Sequence, residues 1–161
     1  MESKEMDKDL TRQIAESKLQ KSIKDANRHH DNWSLHSQQK ATEIILNAKI
    51  EFNNNLAEIG DISMEEAFQR NAELQYQLRI NKNQSLRMGN APATTVMADL
   101  YDAQMEYLEN IKKINELRDT ETTNSDDWRL ALIQQYMDIE NLNPCTNDKS
   151  QNKETDEVRK F

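Results

Sequence analysis

The amino-acid sequence predicts an all-α fold, arranged as an elongated coiled coil or a helical hairpin. The chain of 161 residues contains only two glycines and two prolines, and a sheet protein needs more of both at its turns. Between these residues, apolar side chains recur every three or four positions, which is the helical period. Apolar residues make up 35% of the chain, against about 45–50% in globular proteins. Long helices that pair through narrow apolar stripes are therefore expected.

The first segment, residues 1–59, is predicted to form one long amphipathic helix. A helix of about 50 residues would be roughly 75 Å long and needs either a partner along its length or a break. The break is expected at 27–37, because this window contains the polar stretch NRHHDNWSLH. His30 and Trp33 continue the apolar stripe there, which predicts a hinge or a contact that specifies a partner.

A helix junction is predicted where the second segment, a helical hairpin over residues 60–118, begins. Gly60 suits the position after a helix, where the backbone turns left-handed. The sequence SMEE follows, so Ser63 and Glu66 can form a capping box, with Ile62 before it as a hydrophobic staple. This pattern predicts that a second helix begins at residue 64.

The second helix, expected over about 64–88, has polar residues on its apolar face. Asn71, Asn81 and Ser85 share that face with leucines. Polar residues in a helix seam fix the register and the number of partners at some expense of stability. The alternative is a helix that is mostly exposed, in which these residues have no special role.

The third helix follows the turn MGNAPATT and has the period of a coiled coil. Its apolar steps average about 3.5 residues, at Val96, Leu100, Ala103, Tyr107, Ile111, Ile114 and Leu117. Residues 119–143 are predicted to form a connector and a short C-terminal helix. This helix begins at Ser125 and carries Trp128 on its apolar face. Residues 144–161 are nearly free of apolar side chains, so they are expected to form a disordered, acidic C-terminal tail.

The histidines are the only candidates for site chemistry, and their spacing argues against it. His29 and His30 are adjacent, so on a helix they point about 100° apart, and His29 and His36 lie roughly 10 Å apart along the axis. Zinc sites on helices use histidines four residues apart. Cys145 is the single cysteine. We therefore predict no enzyme, no cofactor and no metal; a metal-dependent site at the histidine cluster is the remote alternative.

Charge and hydropathy limit the expected partners and location. The net charge is −8, and residues 91–161 hold eight Lys/Arg against fifteen Asp/Glu. Nucleic acids are bound through clustered Lys and Arg, so no direct contact with nucleic acid is expected. No stretch reaches the ~18 apolar residues of a membrane span, and the N-terminus does not have the apolar run of a signal peptide. The expected location is intracellular, in the cytoplasm or nucleus.

These observations predict a non-enzymatic coiled-coil subunit that mediates protein–protein association within a larger intracellular assembly. It would act as a scaffold or adaptor, for example of kinetochore, microtubule or vesicle-tethering type, and its partners would be other coiled-coil proteins in a hetero- or homo-oligomer. The alternative is a self-contained helical bundle that acts as a regulatory binding module for a partner helix. The predicted partner-binding seam comprises Leu19, Ile23, His30, Trp33, Ile45, Phe52, Leu100, Tyr107, Ile111, Ile114, Leu117 and Trp128.

Overall fold

The all-α prediction is confirmed by a computed structural model, which describes residues 2–28, 34–119 and 125–142. This part of the chain contains five helices and no strand: α1 Glu2–Arg28, α2 Leu35–Glu58, α3 Met64–Met88, α4 Ala93–Asp119 and α5 Ser125–Leu142. The predicted set of one long helix and three shorter ones is not confirmed, because all five helices have 18 to 27 residues. The predicted tail at 144–161 lies outside the described residues.

The first predicted helix is two helices that lie antiparallel. The Arg12 guanidinium near the start of α1 pairs with Asp61, which follows the end of α2. Further along, Lys18 Nζ lies 3.5 Å from Glu51 Oε1. Helices α1 and α2 therefore run in opposite directions, and Ser34 caps α2 by accepting from the Ser37 amide at 3.1 Å. The predicted window 27–37 covers the end of α1 and the start of α2, and His29, His30 and Trp33 within it lie outside the described residues.

The predicted junction between α2 and α3 is present. Gly60 has a left-handed φ of +80°, and the amides of Gly60 and Asp61 donate to the carbonyls of Ala57 and Leu56 at 3.1 and 2.9 Å. These two bonds are the Schellman motif that ends a helix. Ser63 then accepts from the Glu66 amide at 3.0 Å, and the Glu66 carboxylate accepts from Arg70. Only the serine half of the predicted capping box is therefore seen.

Helix α3 is the central element of the bundle. It packs against α2, α4 and α5, whereas α1 packs against α2. One core cluster joins α2, α3 and α5 through Leu46, Ile50, Leu78 and Ile139. A second joins α3, α4 and α5 through Phe68, Ile114 and Ala131, with Trp128 packed edge-on to Phe68 at a ring distance of 6.1 Å. Helix α5 thus runs parallel to α3 and closes the bundle between α2 and α4.

Buried amide side chains join α2 to α3. Asn53 Nδ2 donates to Asn71 Oδ1 at 3.0 Å, and Asn71 Nδ2 donates to Asn54 Oδ1 at 2.8 Å. Gln39 and Asn81 each donate to the other's backbone carbonyl, at 2.8 and 2.9 Å. Asn71 and Asn81 are buried, with 1% and 8% exposure. They therefore fix the register of α3 on α2, and the alternative of an exposed second helix is wrong.

Candidate functional site

Three cavities follow one another along α2 and form a single groove. The first, of about 500 Å³, lies between α1 and α2 and includes Ser22 and Ile44. The second, of about 340 Å³, shares Ser22 and Ile44 and extends to Glu51 and Tyr136 of α5. The third, of about 520 Å³, shares Glu51 and Tyr136 and continues between α2 and α5 to Met64. Because neighbouring cavities have residues in common, they describe one channel, which we call the α2 groove.

The floor of the α2 groove is a stripe of α2 that lies between the faces used by α1 and α5. Its residues recur at steps of four and three, the spacing with which one helix presents a seam to another: Lys40, Ile44, Asn47, Glu51, Asn54 and Glu58. Leu46 belongs to the core and lines none of the three cavities, whereas Ile50 belongs to the core and also lines the second cavity. From Lys40 to Glu58 the stripe is roughly 27 Å long, so a helix of five turns matches its length.

Apolar side chains of α5 form one wall of the groove. Ile133 is 51% exposed, Tyr136 40% and Met137 52%. All three line the third cavity, together with Leu132 and Met64. Exposed apolar side chains grouped around a concave surface are typical of interaction sites. This end of the groove is therefore the place where a large apolar side chain of a ligand would be buried.

The groove is acidic as well as apolar. Its lining contains five carboxylates and two cations, namely Asp25, Glu43, Glu51, Glu58 and Glu140 against Lys40 and Arg129. The pKa of Tyr136 is raised, first by burial and then by the negative charges of Glu140 and Glu51. Two carboxylates, Glu51 and Glu140, thus lie close to this phenol where the second and third cavities meet.

The residues predicted to form a partner seam lie elsewhere. Leu19, Ile23, Ile45 and Phe52 are half-buried on α1 and α2, and Phe52 lines a separate cavity of about 310 Å³ between α2 and α3. His30 and Trp33 lie outside the described residues. None of the predicted seam residues in the described part of the chain lines the three cavities of the α2 groove.

The predicted coiled-coil stripe of α4 packs within the bundle. Ile114 belongs to the second core cluster, and Ile111, Leu117 and Trp128 pack against it. Tyr107 packs on Tyr76 with a ring distance of 5.3 Å, and Leu100 is half-buried. These side chains therefore already have neighbours in the chain, and their contact with a separate partner stays a prediction.

A second apolar stripe on α5 is the signal in the sequence from which the groove wall could have been predicted. Leu130, Ile133 and Met137 recur at helical spacing on the side opposite the buried Ala131 and Ile139. A helix with apolar residues on both faces has more apolar surface than one bundle contact needs.

Buried charges are found between α3 and α4, away from any cavity described above. Arg79 lies 3.4 Å from Asp99 Oδ1 and 3.7 Å from Glu106 Oε2. Burial raises the pKa of Glu106, while Arg79 and a hydrogen bond from Gln75 act to lower it. Neither Arg79 nor Glu106 lines any of the four cavities. This cluster joins two helices of the bundle.

Among the described residues, no His, Cys, Asp and Glu side chains form a group of three or more that could hold a metal ion. None of the five helices, over the residues described, is both long and apolar enough to span a membrane. A comparison with known proteins finds no matching family model, no matching curated protein and no matching solved structure.

Proposed function

We propose that this chain is a non-enzymatic protein-association module whose α2 groove binds a helix of a partner protein. The observation that supports this proposal is the groove itself, an elongated channel with a helical seam as its floor and exposed apolar side chains in one wall. Helix-in-groove binding reuses the geometry of helix packing, with anchors at every third or fourth position. A channel roughly 27 Å long accommodates an extended helix better than a small molecule.

The complete core of the bundle favours a self-contained module over a chain that folds only on its partner. Helices α2 to α5 all contribute to the two core clusters, so each of them already has one apolar face packed within the bundle. We propose that the module acts as a scaffold or adaptor within a larger intracellular assembly, with helical proteins as its partners.

A coiled-coil subunit that associates through α4 is the second candidate, and the outer face of α4 favours it. Met97, Tyr101, Met105 and Leu108 recur at steps of four, four and three and are 41% to 64% exposed. Such a stripe has the spacing of a helix that pairs with another helix. The two candidates use opposite regions of the molecule, so one experiment separates them.

A displayed library of amphipathic helices, selected on the wild-type chain, tests the proposal. The selected helices are measured against Ile133→Asp in the groove and Met97→Asp on α4, two exposed positions at which a charge leaves the core intact. If the groove is the site, Ile133→Asp weakens binding by about tenfold or more and Met97→Asp has little effect.

The opposite pattern supports association through α4 and contradicts the groove proposal. Binding that both variants leave unchanged contradicts both candidates. Circular dichroism of each variant serves as the control, because an unchanged helical spectrum and melting temperature show that the substitution affects binding and not folding.

A further inference from the structure

The charges around the α2 groove distinguish between classes of partner helix. Carboxylates occur along its length, from Asp25 and Glu43 at one end through Glu51 and Glu140 to Glu58. A helix buried there brings its own charged flanks close to these groups. Like charges placed together across an interface raise the free energy of the complex, and opposite charges increase the association rate and the specificity.

The cations and the carboxylates of the groove are unevenly distributed along its length. The two cations, Lys40 and Arg129, line opposite ends of the channel, since Lys40 is in the first and second cavities and Arg129 is in the third. The region where the second and third cavities meet, around Tyr136, has Glu51 and Glu140 beside it, and their charges contribute to the raised pKa of this phenol. Carboxylates therefore lie beside the apolar wall of α5.

We propose that the α2 groove selects a basic amphipathic helix, with large apolar side chains along one face and Lys or Arg beside them. The apolar side chains enter the third cavity between Met64, Ile133 and Met137, and the cations of the helix lie opposite Glu51, Glu58 and Glu140. This inference rests on the proposed function and adds the chemistry of the partner. A second copy of the chain is a poorer match, because the chain has a net charge of −8.

Synthetic peptides of about 20 residues, which span ~30 Å as a helix, test the inference directly. One peptide has Leu at the a and d positions of a heptad and Lys at e and g; a second has Glu in place of every Lys; a third is a scrambled form of the first. Fluorescence anisotropy with the full chain should give about tenfold tighter binding for the Lys peptide than for the Glu peptide, and the difference should shrink at high salt.

Two variants with the same change in charge locate the effect. Glu58→Gln with Glu140→Gln removes two charges from the groove, whereas Asp102→Asn with Glu109→Gln removes two from exposed positions on α4. The groove pair should weaken binding of the Lys peptide about fivefold or more, and the α4 pair by less than about twofold. Equal losses would mean that only the net charge of the protein matters, which overturns the inference.

The remaining outcomes separate this inference from the proposed function. If the Glu peptide binds as tightly as the Lys peptide and Ile133→Asp weakens both, the groove binds helices without the proposed charge preference, and only the inference fails. If no amphipathic peptide binds better than the scrambled one, both the inference and the proposed function fail.

Discussion

Asn71 shows how single polar residues determine the packing of α3 on α2. Its amide accepts a hydrogen bond from Asn53 and donates one to Asn54, and the side chain is 1% exposed. An apolar residue at this position would pack in several registers, whereas an amide satisfies its hydrogen bonds in only one. Buried amides thus limit the arrangements that the bundle can adopt.

Replacing Asn71 with alanine should lower the free energy of unfolding by about 1–3 kcal/mol, because Asn53 is left buried without its acceptor. Urea denaturation followed by circular dichroism measures the change. Gln84→Ala is the matched control on the same helix, since Gln84 is exposed and should change the free energy by less than about 0.5 kcal/mol. Equal effects of the two substitutions would show that the Asn53–Asn71 bond contributes nothing.

At the residue scale, the sequence identified Asn71 and Asn81 but not their partners. Helical spacing placed both amides on the apolar face of the second helix. Which residues bind these amides, namely Asn53, Asn54 and Gln39, depends on the register of α2 along α3. No local sequence pattern specifies that register. The groove residues were missed for a similar reason, since Glu51 and Tyr136 lie 85 positions apart and meet only through α5.

At the scale of the helices, the junctions show which boundaries local chemistry determines. The second helix begins and ends at the predicted residues, Met64 and Met88, because capping and left-handed turns are set by a few neighbouring residues. The next junction repeats the Schellman bonds, with Asn90 and not its neighbour Gly89 at the left-handed position, φ 57°. A break between α1 and α2 was predicted only as one of two options, the other being a continuous helix with a partner along its length. The reason is that the apolar stripe of the sequence continues across residues 27–37.

Gly60→Ala tests the left-handed turn at the end of α2. With φ at +80° and only Lys8 Nζ near the new methyl group, at 3.7 Å, the substitution meets backbone strain without a steric clash. The free energy of unfolding should fall by about 1–2 kcal/mol. Gly89→Ala is the comparison, since Gly89 has φ −84°, although the new methyl group would approach the Ser85 carbonyl at 3.3 Å. A smaller loss at Gly60 than at Gly89 would contradict the assigned role of the left-handed turn.

At the scale of the whole molecule, the helices contribute unequally to the core. Neither cluster contains a residue of α1 among the described side chains, whereas α5 contributes Ile139 to one and Ala131 to the other. The buried residues of α1 are small, Ala15 and Ala26, and its contact with α2 is supplemented by exposed ion pairs, which contribute little. The low apolar content of the sequence predicted a small core. In the structure, α2 to α5 form that core.

Removing residues 1–33 should therefore leave a folded four-helix bundle, with a free energy of unfolding lower by about 1–3 kcal/mol from the lost contacts of Leu19 and Ile23. The deletion also removes Trp33, so the fluorescence of the shortened chain reports Trp128 alone, which packs against Phe68 in the native bundle. Urea unfolding should remain a single cooperative transition, with a compact monomer in sedimentation. Removing residues 125–161 is the comparison, and it should abolish the transition because both clusters lose their α5 residues. If the deletion of 1–33 unfolds the chain while that of 125–161 does not, α1 and not α5 completes the core.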